Sequence, residues 1–144
     1  MSEQAVIDPL RFARDGESLE RSVAVASMPR LDDRLASTDG EIRFRLAGQG
    51  GGAAKRLTLR LRIEGELSLI CQRCLEGYAF RLDVDETLVL ARSEAELAAW
   101  EDADPLCEGL VAEPQLDVLG LVEDAILLAL PMVPRHPEGE CPAE

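Results

Sequence analysis

The amino-acid sequence predicts one α+β domain: a curved, mainly antiparallel β-sheet or partial barrel on which a C-terminal helix packs. Apolar and polar residues alternate over long stretches between about residues 19 and 111, as they do in half-buried strands. A later segment repeats its apolar residues at helical spacing. The chain, residues 1–144, fits a single domain, because folding at this length buries about 68–70% of the unfolded surface.

The N-terminal half contains two predicted strands. A short apolar segment at Pro9 precedes the first strand, which runs from Leu19 to Ala26. Pro29 then opens a short helix, since proline is tolerated in a first helical turn. The second strand is EIRFRLAG, residues 41–48, where apolar and charged residues alternate. The four glycines of GQGGGAA predict a flexible loop after it.

The clearest strand signal is a hairpin in the middle of the chain. RLTLRLRIEGELSLIC, residues 56–71, alternates apolar and polar side chains, and YAFRLDVDETLVLA, residues 78–91, does so in phase with it. Gly65 interrupts the first strand, and a bulge or bend there need not end the run. The connecting CQRCLEG therefore forms the hairpin tip, which carries Cys71 and Cys74.

The C-terminal part combines two helices with a short strand. SEAELAAW begins a helix at Ser93, with Glu96 as its capping-box partner, and LVAE, residues 110–113, is a short strand. Asp117 caps a second helix that ends at Ala129, ahead of an extended tail at residues 130–144. We expect its apolar face to contain Leu121, Ala125, Leu128 and Ala129, and its water-facing side Glu123 and Asp124.

Charge is distributed very unevenly along the chain, whose net charge is −13. Residues 83–128 carry thirteen Asp and Glu against one arginine. This acidic segment is either a solvated surface or a docking surface for a basic partner. Such a protein repels nucleic acid overall, and with 3% aromatic residues it has few platforms on which bases can stack.

Four arginines on or beside the hairpin form a candidate binding patch: Arg60, Arg62, Arg73 and Arg81. Arginines on neighbouring strands can contact phosphates or acidic side chains. The alternative is that they are simply the polar residues of half-buried strands.

The N-terminus lacks a secretory signal, and no run of 18 apolar residues predicts a membrane span. We therefore expect a cytoplasmic protein without membrane contact. Because cytoplasmic thiols are kept reduced, the four cysteines favour metal binding or reactivity over disulfides.

Cys71, Cys74, His136 and Cys141 together give C-x2-C and H-x4-C, a ligand set that suits a structural zinc ion. Two alternatives remain open: a thiol-redox pair, which usually lies at a helix N-terminus, or thiols without a role. Cys107 is interpreted as a bystander. Since phosphate-binding loops and catalytic triads are missing, the sequence predicts neither an enzyme nor a small-molecule substrate.

Three motifs resemble the bacterial YceD family, the large ribosomal RNA subunit accumulation proteins: IDPLRFAR, GELSLICQRCLEGY and LVEDAILLALPMVPRHPEGEC. The family's C-x-R-C motif matches Cys71, Arg73 and Cys74, and its P-x-H ending with a later cysteine matches His136 and Cys141. An Asn-Pro-Phe-Ala segment that often follows in the family is missing here. The resemblance implies a non-enzymatic, cytoplasmic role in 23S ribosomal RNA accumulation or processing, and thus in large-subunit ribosome biogenesis.

The charge map and this resemblance together leave three hypotheses. Residues 83–128 hold a basic ribosomal protein or assembly factor, or the hairpin arginines contact precursor ribosomal RNA directly. The third hypothesis is a C-x-x-C thiol-redox protein.

Overall fold

A curved, open, six-stranded sheet lies at the centre of the computed structural model, which describes residues 6–50 and 56–131. The strand order is β2-β4-β5-β6-β7, and β3 pairs with β5 beyond the end of β4. The strands of this sheet are β2 (Ser18–Ala24), β3 (Leu35–Ser37), β4 (Glu41–Gln49), β5 (Thr58–Ile70), β6 (Gly77–Ala91) and β7 (Gly109–Val111). All neighbours are antiparallel except β6 and β7, which are parallel. The predicted α+β class is confirmed.

The other elements of the described residues are a small sheet, three α-helices and two 3-10 helices. Strands β1 (Val6–Ile7) and β8 (Leu116–Asp117) pair with each other. The helices are α1 (Pro9–Arg14), α2 (Glu94–Ala103) and α3 (Val118–Ala129). None of the helices in the described ranges is long and apolar enough to cross a membrane.

The predicted central hairpin is the longest pairing in the sheet. Strands β5 and β6 run in register from Thr58 opposite Val89 to Ile70 opposite Gly77. The pairing continues through Gly65 without a shift. A side chain at Gly65 would meet Ile42 Cγ2 at 2.9 Å, so glycine permits the close approach of β4 and β5 there.

One face of the sheet is buried and carries the core. Alternate residues of β4, β5 and β6 are buried on this face, as the sequence pattern predicts: Ile42, Phe44, Leu46, Leu59, Leu61, Ile63, Leu82 and Val84. Helices α1 and α3 contact the same strands. The approach of α1 to β4 is so close that a Cβ at Gly48 would lie 2.6 Å from the Ala13 Cα. Burial of these side chains is the main favourable contribution to folding.

Short segments differ from the sequence predictions in detail. The strand predicted to Ala26 ends at Ala24, where a 3-10 turn over Val25–Ser27 follows. The short helix at Pro29 is also a 3-10 helix, Pro29–Arg34. The loop predicted over GQGGGAA falls partly on residues 51–55, which lie outside the described residues, as does most of the predicted tail.

Helix α3 packs against β5 and β6 as predicted, and Ala125 is buried as predicted, but the predicted buried face is wrong at Leu128 and Ala129, which are exposed. Leu128 is 87% exposed, whereas Val118, Val122 and Ile126 are fully buried. The reason lies in the neighbouring 3-10 helix. Its Arg30 contacts Glu123 and Asp124, the side of α3 that the sequence pattern predicts to face water. The helix is therefore rotated relative to the predicted orientation.

The partner of Arg30 is Glu123, which is 9% exposed instead of facing water. The Arg30 backbone N–H donates to Glu123 Oε2 at 2.9 Å, and Arg30 Nε donates to Glu123 Oε1 at 3.0 Å. The same guanidinium donates to Asp124 Oδ1 and to the Gly120 carbonyl. These contacts join residues more than 90 positions apart and fix α3 on the domain.

Candidate interaction surfaces

The hairpin tip holds Cys71 and Cys74 in a tight turn. The Cys71 N–H donates to the Glu76 carbonyl at 2.9 Å, and the Leu75 N–H donates to the Cys71 carbonyl at 2.8 Å. Leu75 closes the turn with a φ of 64°, a left-handed conformation that is uncommon for a residue other than glycine. Cys71 is buried and Cys74 half-buried. The predicted position of both thiols at a hairpin bend is confirmed.

A backbone donor points at one of the sulfurs. The Arg73 N–H donates to Cys71 Sγ over 3.4 Å. Hydrogen bonds to sulfur favour its charged thiolate form, which is the form that binds metal. The turn therefore suits two of the four ligand positions of a tetrahedral zinc site.

The other two predicted ligands, His136 and Cys141, lie outside the described residues. Within the ranges 6–50 and 56–131, no group of three His, Cys, Asp or Glu side chains is arranged to hold a metal ion. The geometry of the turn fits half of the predicted ligand set, and zinc binding stays a prediction.

The outer face of the sheet carries most of the predicted arginine patch, together with acids that the prediction left out. Arg60 and Arg62 on β5 and Arg81 on β6 all lie on this face, and Arg73 lies in the hairpin tip. The acids on the same face are Glu20, Glu41, Glu64, Glu66, Asp83 and Asp85. The arginines are therefore surrounded by carboxylates, and no basic patch results.

Asp85 and Glu64 pair with the two arginines of β5. Arg60 makes a bidentate contact with it, Nε to Oδ1 at 3.0 Å and Nη2 to Oδ2 at 2.8 Å. Arg62 Nε lies 3.9 Å from Asp85 Oδ2, and its Nη2 lies 3.6 Å from Glu64 Oε1. The hydrogen bonds from Arg60 lower the pKa of Asp85, which therefore stays charged.

Sequence reasoning missed two arginines of this face, Arg43 and Arg45 on β4. Arg45 lies opposite Arg62 and Arg43 opposite Glu64. Their alternation with Ile42 and Phe44 would have placed them here once β4 was paired with β5. Within the described ranges, neither of them has an acidic side chain within 4 Å.

A concave region of about 420 Å³ lies on this outer face. Its charged lining consists of Glu41, Glu64, Glu66, Arg43 and Arg81. Three carboxylates against two guanidinium groups give no positive potential, which a phosphate backbone would need. This concave region therefore offers no net positive charge to a polyanion, whereas a neighbouring depression is lined by Arg43, Arg45 and Arg62 against only Glu20 and Glu64.

Ten of the thirteen acids in the acidic segment, residues 83–128, fall into three groups. Asp83 and Asp85 belong to the outer face, and Glu123 and Asp124 bind Arg30. The third group, which we call the acidic α2 surface, consists of Glu94, Glu96, Glu101, Asp102, Asp104 and Glu108 on helix α2 and the loop after it. Each of these side chains is exposed or half-buried.

Helix α2 begins as predicted but is little buried. Ser93 Oγ accepts the Glu96 N–H at 3.1 Å, so the predicted cap is present, and Glu96 Oε1 accepts the Arg92 N–H. None of the residues of α2 is fully buried, and its last turn contains no base. Arg56 stacks on Trp100, 4.2 Å from the ring centroid, and Leu106 in the following loop is 89% exposed.

One of these acids, Glu108, lies near a half-buried carboxylate on β6, that of Glu86. Glu86 lies opposite Leu61, on the core face of the sheet. Burial raises its pKa, and the nearby Glu108 carboxylate raises it further. Glu86 and Glu108 therefore lie close enough for their charges to repel each other.

Comparison with known proteins points to one family. The family model described as Large ribosomal RNA subunit accumulation protein YceD matches residues 59–144. A Haemophilus influenzae protein named Large ribosomal RNA subunit accumulation protein YceD is 33% identical over 142 residues. That alignment covers 94% of this chain and 76% of the relative. No solved structure shows a significant match to the chain.

Proposed function

The chain belongs to the YceD family, and from this we propose that it is a non-enzymatic factor for large-subunit ribosomal RNA accumulation that binds a basic protein. The family name gives the process, accumulation of large-subunit RNA. The partner, the cytoplasmic location and the mode of action are our proposal. The partner is a basic ribosomal protein or assembly factor of the large subunit.

One observation carries the choice of partner: on the outer face Asp85 and Glu64 pair with Arg60 and Arg62, whereas no ion pair among the described residues involves the acidic α2 surface. Arg60 and Arg62 already share Asp85. By contrast, Arg92 is the only base among residues 83–128. A field of this sign attracts a basic protein and repels RNA. Proteins that bind ribosomal RNA are themselves basic because they neutralise phosphates, so they fit this surface.

Structural zinc is the second part of the proposal. Cys71, Cys74, His136 and Cys141 would hold the ion, and the Arg73 N–H on Cys71 Sγ supports this by favouring a thiolate. We expect the purified protein to contain one zinc per chain and Cys74→Ser to lose both metal and stability. A Cys74→Ser variant that folds normally but loses thiol-exchange activity would favour the thiol-redox alternative instead.

Crosslinking in living cells, followed by denaturing purification, tests the partner. RNA and protein adducts are counted in the same sample. We expect basic proteins of the large subunit to be crosslinked at the acidic α2 surface. Ribosomal RNA crosslinked to the hairpin arginines, without protein adducts at α2, would contradict the proposal and support direct RNA contact.

A triple variant, Arg43→Glu, Arg45→Glu and Arg60→Glu, provides the matched control. It reverses three charges on the outer face, and a variant that reverses three acids of the acidic α2 surface is compared with it. If the basic partner binds the α2 surface, these outer-face changes leave its binding intact. Lost RNA adducts in this variant would again favour direct RNA contact.

A further inference from the structure

Among the described residues, one edge of strand β6 pairs with another strand only at its C-terminal end. One side of β6 pairs with β5 at thirteen positions, but on the other side β7 covers only Val89–Ala91. From Gly77 to Leu88, no strand in the described ranges pairs with this second side. An unpaired edge of this length presents a row of backbone hydrogen-bonding groups to an incoming chain.

The hydrogen bonds at the strand ends show which backbone groups point outward. The Leu90 N–H donates to the Leu57 carbonyl on the β5 side, whereas the Val89 N–H donates to the Glu108 carbonyl on the β7 side. In an antiparallel pair these directions alternate from residue to residue. The N–H and C=O groups that face the open edge therefore belong to Ala79, Arg81, Asp83, Asp85 and Thr87.

The side chains along this edge indicate the chemistry of an occupant. Phe80 is only half-buried on the core face, so an added strand can extend the apolar layer beside it. Asp83 is exposed on the outer face, and the half-buried Glu86 lies on the core face near Glu108. Because Arg81 is exposed on the same outer face, the segment that matches both faces alternates apolar with polar side chains and places its Lys or Arg beside Asp83 and Asp85.

We infer that the basic partner docks on this edge as an additional β-strand, paired with β6 between Ala79 and Thr87. The inference rests on the proposed function and adds the mode of binding. Backbone hydrogen bonds supply affinity, and the acids select a basic segment. A second copy of this chain is a poor occupant, because two chains of net charge −13 repel each other.

The test removes one outward N–H. Asp83→Pro lacks the N–H that faces the edge but leaves the hydrogen bonds to β5 in place, since proline is tolerated at such edge positions. Asp83→Ala removes the same side chain and keeps the N–H. Ser22→Pro is the matched control on β2, the other edge of the sheet, because Ser22 also directs its N–H away from its neighbour strand.

Variants of the whole 144-residue chain are titrated against a panel of purified basic ribosomal proteins of the large subunit, which serve as the binding probes. We expect Asp83→Pro to bind at least about tenfold more weakly than Asp83→Ala, and Ser22→Pro to bind like the unchanged protein. Equal affinity of Asp83→Pro and Asp83→Ala overturns the edge inference but leaves the proposed function standing. Failure of the unchanged protein to bind any member of the panel overturns both.

Amide hydrogen exchange of the unchanged protein keeps the inference testable if Asp83→Pro does not fold. We expect binding to protect the outward amides of Ala79, Arg81, Asp83, Asp85 and Thr87. Their unchanged exchange in the complex would overturn the inference. A photo-crosslinking amino acid at position 79 gives a second readout: adducts to residues 132–144 or to a second copy would overturn it, and adducts to a basic partner segment would support it.

Discussion

Helices α2 and α3 both lie in the acidic segment, residues 83–128, but they use their acids in opposite ways. In α3, Glu123 is buried and Asp124 is bound, and both contact Arg30. In α2, Glu94, Glu101 and Asp102 are exposed and no residue is fully buried. Carboxylates with a fixed partner stabilise the domain, whereas carboxylates without one are available for an external base.

This comparison shows why the net charge of a segment does not reveal its role. The same composition gives a structural clamp where a distant arginine reaches it, and an exposed acidic surface where none does. Matched substitutions in the two helices can therefore distinguish an effect on stability from an effect on binding.

The largest effect is expected in the buried face of α3. Ile126 is fully buried, so Ile126→Asp places an unpaired charge in the core and costs about 4 kcal/mol or more of the free energy of unfolding. Leu128→Asp on the same helix and Ala98→Asp on α2 change exposed positions and cost about 0.5 kcal/mol or less. Thermal and urea unfolding measure all three. A large loss at Leu128 would contradict the helix orientation described above.

A smaller loss of stability is expected from the clamp. Glu123→Ala removes the acceptor for two Arg30 donors, the backbone N–H and Nε. Because the Arg30 side chain is 47% exposed and water replaces part of the contact, we expect a loss of about 1–3 kcal/mol. Glu101→Ala on α2 is the control and should change stability by about 0.5 kcal/mol or less. Equal losses of stability from the two substitutions would contradict the view that the α3 acids stabilise the domain and the α2 acids do not.

Charge reversal on α2 should affect binding and not folding. The triple variant Glu101→Lys, Asp102→Lys and Asp104→Lys is expected to weaken binding of the basic partner by about tenfold or more, mainly at low salt. Its unfolding midpoint should stay close to that of the unchanged protein, because these side chains are exposed. Titration calorimetry at two salt concentrations measures the change. Unchanged affinity would show that the partner does not use this surface.

Much of the fold could be predicted because it follows from local patterns. The alternation in β4, β5 and β6 fixed which residues are buried, and the Ser93 cap marked the start of α2. The rotation of α3 could not be predicted in this way. It depends on Arg30, which lies 93 positions before Glu123. The periodicity of apolar residues within the helix contains no information about that contact.

The candidate site was predictable in part for a similar reason. The position of Cys71 and Cys74 at the hairpin tip follows from two strands in phase. The neutralisation of Arg60 by Asp85 requires the register of β5 against β6, which the sequence fixes only loosely. Consequently the arginines could be identified as surface residues but the ion pairs of Arg60 and Arg62 could not, and RNA contact through these arginines stays a prediction.

The smallest effects are expected from two adjacent carboxylates on β6, which show the same contrast within one strand. Arg60 lowers the pKa of Asp85, so Asp85 stabilises the folded state above its unfolded pKa and loses this effect as the pH falls through its folded pKa. Burial and Glu108 raise the pKa of Glu86, so its ionisation opposes folding as the pH rises through the carboxyl range.

Asp85→Asn should therefore be less stable than the unchanged protein at neutral pH, and Glu86→Gln more stable. Both differences should shrink as the pH falls below about 4, where carboxyl groups become protonated. Urea unfolding from pH 7 to pH 3 measures both curves. If both substitutions changed stability at neutral pH in the same direction, an acid paired with an arginine and an acid without one would not differ electrostatically. The argument that the α2 acids are available to a partner would then be contradicted.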